Sequence, residues 1–192
     1  WSLCVPGYAF LFWGLACRIL PGSNADLRAG AATAMAFMWV QAGGAALSAA
    51  WQLSPVPVLL WLGAGGAAAA AAGRNSFERQ LPTLLPLLLL LPYLAMAAAP
   101  PWYRDSLTYH LALPRIYANS GGYAPTDEIV FSFFPLAWQS GLAMLHSLGQ
   151  DGFPPFNPRM VTAWLSGGTA LATAGLARLA GAEGPWPALA AA

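Results

Sequence analysis

Charge is what this sequence has least of. Of its 192 residues, 8% are charged, where a typical soluble domain carries about 25%. A soluble fold of this length must cover its surface with polar groups, and too few are present. Length alone would fit about one or two soluble domains, but a hydrophobic share of 58% points to an integral membrane protein. Basic runs are missing as well. With a net charge of +1, nothing in the chain can track a phosphate backbone, which excludes nucleic acid as a partner. Cysteine is scarce. Cys4 and Cys17 share one apolar segment, at a spacing that fits neither a zinc site nor CxxC, so both read as packing residues. The chain opens on Trp1 and stops in PWPALAAA. It reads as a fragment of a longer protein, and no signal peptide can be judged from it.

Long apolar stretches are what the chain has in their place. A membrane-spanning helix needs roughly 17 to 25 mostly apolar residues. Six stretches approach that, at about 1–20, 29–50, 56–72, 81–99, 131–148 and 160–180. The turn-rich PGSNADLR, QLSPVP and GRNSFERQ separate the first four. Pro82, Pro86 and Pro92 predict a kink in the fourth, since neighbouring membrane helices can satisfy the carbonyls that proline frees. Gly43, Gly44, Gly63, Gly66, Gly167, Gly168 and Gly175 fall within spans, where small residues let helices approach closely. The predicted fold is all-α, a polytopic transmembrane helix bundle. Strict alternation of the spans puts Arg18, Arg28, Arg74, Arg79 and Arg159 on one side and Arg104, Arg115 and Arg178 on the other. The positive-inside rule makes the first set cytoplasmic. The loop 100–130 then faces outward, to the periplasm or the cell exterior.

That loop is too polar to span and too long for a simple turn, and connections of its length are uncommon unless functional. Within PWYRDSLTYHLALPRIYANSGG, Asp105 is a good helix N-cap, and Leu107, Leu111, Ile116 and Tyr117 supply an apolar side. The segment reads as a helix lying in the membrane interface, stopped by Gly121-Gly122. Pro114 opposes a continuous helix, so the element ends near Leu113 and restarts. Trp102, Tyr103, Tyr109, Tyr117 and Tyr123 fit an interfacial aromatic belt.

Two readings stand for each polar residue here. Asp105 is either a helix cap beside Arg104, or a general base whose pKa is raised by desolvation next to a membrane or a carboxylate that orients an acceptor. His110 is either a contact to substrate phosphate or a hydrogen-bonded interfacial histidine. Arg115 either meets a phosphate or snorkels to lipid headgroups. The pair Asp127-Glu128 is either an acid/base or metal-binding pair or two solvated carboxylates. His146 reads as a helix-end residue, and Asp151 and Arg159 flank a proline-rich connector. A transporter would need charges inside the spans, lining a path, and the six segments hold almost none away from their ends. A membrane scaffold without chemistry would leave the Asp105, Tyr109, His110 cluster unexplained.

The elements Asp105, Tyr109-His110-Leu111, Pro114-Arg115 and, at the next apolar stretch, Phe134-Pro135 resemble bacterial membrane glycosyltransferases of the GT-C fold, most closely the ArnT/PMT-related, RgtA/B/C/D-like enzymes. The resemblance covers about residues 100 to 180. It implies a multi-spanning enzyme of the bacterial plasma membrane with an interfacial helix in a large outer loop. Such an enzyme takes sugar from a polyprenyl-phosphate donor and passes it to a lipid, glycan or protein acceptor on the outer face. Asp105 maps to the proposed catalytic carboxylate. Arg104, Tyr109, His110, Arg115, Asp127 and Glu128 are its expected substrate contacts. Some members use a divalent cation and others do not, so the cofactor stays open. The chain departs from the pattern in placing several spans before the loop, where better-known members place one.

Overall fold

The computed structural model describes residues 4–73, 110–127, 129, 132, 137–149 and 158–183, with the isolated positions 91 and 95. Every regular element among the described residues is a helix. These are α1 (Cys4–Leu11), α2 (Trp13–Ile19), α3 (Ala25–Ala49), α4 (Pro55–Gly73), α5 (Ala112–Ser120), α6 (Ala137–Ser147) and α7 (Pro158–Leu179). The expected fourth span, with its three prolines, lies outside the described residues apart from Leu91 and Ala95.

Helix boundaries follow local chemistry. The first apolar stretch is two short helices because the Phe12 N–H reaches back only three residues, to the Ala9 carbonyl (3.0 Å). The second begins earlier than expected, at Ala25, because Asn24 caps it, its Oδ1 accepting the Leu27 N–H at 3.0 Å. Pro55 opens α4, where a missing N–H costs nothing. One helix among the described residues, over Pro55–Ala72, is long and apolar enough to cross a membrane, with a mean hydropathy of 1.5. Helix α3 has 25 residues and α7 has 22, long enough to cross but richer in polar side chains. In the fifth stretch the described helix has 11 residues, and 131 and 133–136 lie outside the described residues.

The chain divides into two compact units. One contains residues 2–37, 66–99 and 159–192. In it the first half of α3 packs against α7 through glycines. A Cβ on Gly175 would collide with Leu27, one on Gly30 with the Ala172 nitrogen and the Gly168 carbonyl (both 2.7 Å), and one on Gly168 with Thr33. The order 27–175, 30–172, 33–168 makes the two helices antiparallel. Alternating spans require them to run parallel, with Arg28 and Arg178 at opposite ends. Both arginines instead lie at the same end of the pair. There Arg178 forms an ion pair with Asp26, which is 1% exposed. Arg28, equally buried, donates from Nε to Ser23 Oγ at 3.1 Å, and Asn24 Nδ2 donates to the Gly175 carbonyl at 2.8 Å. Cys17 is buried with Trp13 and Ala25, as a packing residue would be.

The second unit contains residues 38–65 and 100–158, with Trp1. Trp39 of α3 and Trp61 of α4 stack at 4.8 Å. Each indole N–H donates to the other residue's backbone carbonyl at 3.1 Å. Gly43 and Gly65, each four residues on, leave the room that each opposing ring fills. Gly44 brings α3 against the Ser140–Gly141 backbone of α6, and Gly141 lies against Gln41. Gly63, also read as a packing position, has open space at its Cβ.

Candidate functional site

A wider, π-type turn at His110–Leu111 leads into α5. Pro114 does not break this helix. It sits in the first turn, where an N–H has no partner to lose. The expected stop at Gly121 is present. Gly121 adopts φ 76°, its N–H meets the Ala118 carbonyl, and the Gly122 N–H meets the Tyr117 carbonyl at 3.0 Å. Leu113, Pro114, Tyr117 and Ala118 form the buried face, packed on α6. Arg115, Asn119 and Ser120 are exposed.

Beyond α5 the loop folds back on a serine. Ser132 is fully buried. Its hydroxyl accepts the Thr126 N–H at 2.8 Å and donates to the Thr126 carbonyl at 2.9 Å. Its carbonyl takes the Tyr123 hydroxyl at 2.5 Å and the Tyr117 hydroxyl at 3.4 Å. Tyr117 and Tyr123, read from sequence as interfacial belt residues, therefore turn inward and lie ring to ring at 5.3 Å. Burial, reinforced by the neighbouring Tyr123, pushes the Tyr117 hydroxyl up to about 12.

The loop is pinned to the turn between α3 and α4. The Leu53 N–H donates to the Gly121 carbonyl at 2.8 Å, and the Tyr123 N–H donates to the Ser48 carbonyl at 3.0 Å. Gly122 is needed there, because a Cβ would lie 2.8 Å from the Ser48 carbonyl and 2.9 Å from the Trp51 Cα. Trp51 itself ends α3 in the left-handed region, at φ 54°, a conformation that costs a bulky residue energy.

Of the expected site residues, His110, Arg115 and Asp127 are described. His110 is half-buried, and its Nδ1 lies 3.2 Å from Gln139 Nε2 on α6. Arg115 and Asp127 are exposed. Arg104, Asp105, Tyr109 and Glu128 lie outside the described residues, as do Phe134 and Pro135. Among the described residues no three His, Cys, Asp or Glu side chains gather where they could hold a metal ion. His146 is in the last turn of α6, the helix-end position its context indicates. Sequence reasoning missed Gln139. The signal was its amide in the otherwise apolar run beginning at Ala137. Compared with family models, with curated proteins and with solved structures, the chain shows no match.

Proposed function

We propose that the chain is part of a membrane glycosyltransferase of the GT-C type. The observation that supports this most is how α5 is mounted. The helix is entered by His110, presents Arg115 outward, and is held by Gly121 and Tyr123 at the end of α3. A loop fastened this way suits His110 and Arg115 to a membrane surface, where a lipid-linked donor presents its phosphate.

In the proposed reaction the Asp105 carboxylate takes the proton of an acceptor hydroxyl or amine as that atom attacks the anomeric carbon. The bond from the anomeric carbon to the phosphate oxygen breaks, and polyprenyl phosphate leaves with the electron pair. Arg104 or Arg115 offsets its charge. Arg18, Arg28, Arg74 and Arg79 lie in the connections before the loop, on the opposite side by alternation of the spans, so the positive-inside rule supports an outward loop.

The test is Asp105→Asn in the full-length protein, assayed for transfer from a polyprenyl-phosphate sugar. Transfer falling at least a hundredfold at normal membrane levels supports the mechanism. Unchanged transfer removes Asp105 from it.

A further inference from the structure

We infer that Gln139 is a positioning residue for His110. The inference rests on reading the loop around Asp105 and His110 as the working site. Gln139 is 3% exposed, and its Nε2 stands 3.2 Å from His110 Nδ1, across 29 positions of sequence. An amide N–H can donate there only if Nδ1 carries a lone pair. The neutral ring then holds its proton on Nε2, and a donor N–H is presented on the side of the ring away from Gln139.

Two further observations make this an assigned role rather than an incidental contact. Gln139 Oε1 is buried without a hydrogen-bond partner. A buried amide oxygen left unsatisfied costs about 1–3 kcal/mol, so an apolar side chain would pack here at lower cost, and the amide is explained by what its nitrogen holds. The mount is also rigid. Gly44 sets α3 directly against the Ser140–Gly141 backbone, and Gly141 lies against Gln41. No side chain separates the two backbones there, so the backbone that carries Gln139 is held in place.

A glutamine suits the task for a specific reason. It donates to a neutral imidazole and, with the amide turned over, accepts from an imidazolium. The ring keeps its orientation whether or not it carries a charge. A carboxylate at 139 would favour the proton on Nδ1 and reverse the donor and acceptor ends.

The chain has two histidines, His110 and His146, so a protein labelled with ¹⁵N-histidine gives two ring systems, and His146→Gln assigns them. In the full-length protein the His110 ring is expected as the Nε2–H tautomer. Gln139→Glu shifts it to Nδ1–H. Gln139→Leu yields a mixture of tautomers while leaving tryptophan fluorescence unchanged. Transfer by Gln139→Leu falls about tenfold in kcat, with KM within twofold. A His110 spectrum identical in the wild type, Gln139→Glu and Gln139→Leu overturns the inference whatever the activity. The predicted tautomer changes in a protein whose wild type transfers no sugar support the pairing and overturn the glycosyltransferase reading.

Discussion

Tyr117 carries a pH signature set by its burial. Its hydroxyl is pushed up to about 12, first by burial and then by Tyr123, while an unfolded tyrosine ionises near pH 10. A raised pKa means the fold favours the protonated form. The associated stability is fully present below about pH 10 and is lost as pH rises toward 12. A spectrophotometric titration at 295 nm, taken as the difference between the wild type and Tyr117→Phe, should therefore isolate one tyrosine ionising near pH 12. A Tyr117 that titrates near 10 would mean that the Ser132 fold-back does not bury it. At this scale the sequence was legible where a residue's role is local. Asn24 caps, Gly121 stops a helix, and Cys17 packs. It was misleading for Tyr117 and Tyr123. Whether an aromatic faces lipid or a buried serine depends on a fold-back that closes over nine residues, from Tyr123 to Ser132.

At the scale of elements, the glycines decide which helices touch. Gly30 faces the Ala172 nitrogen and the Gly168 carbonyl, and backbone atoms cannot step aside as a flexible side chain can. Gly30→Leu should lower stability by about 1–3 kcal/mol, the range for overpacking a filled interface, read as a lower midpoint of thermal unfolding in detergent. Gly63→Leu, at a site with open space, is the control and should change little. Both glycines sit in apolar stretches and look alike in the sequence, so which of them packs was not legible. The extents of α4 and α7 were, since they match the apolar runs to within about two residues. Upstream of Ala137 the fifth apolar run lies largely outside the described residues. Pro114 was misread from the sequence. A proline ends a helix only when it arrives after the first turn.

At the scale of the whole molecule, the proposal requires the loop 100–130 to lie on the outer face. One single cysteine tests it. In the full-length protein, with Cys4 and Cys17 replaced by alanine, Ser120→Cys is introduced and treated in intact cells with a membrane-impermeant thiol reagent. The account predicts that the Ser120→Cys protein is labelled in intact cells. Labelling only once the membrane is opened would contradict it, placing the loop in the cytoplasm and removing the outer-face transfer mechanism.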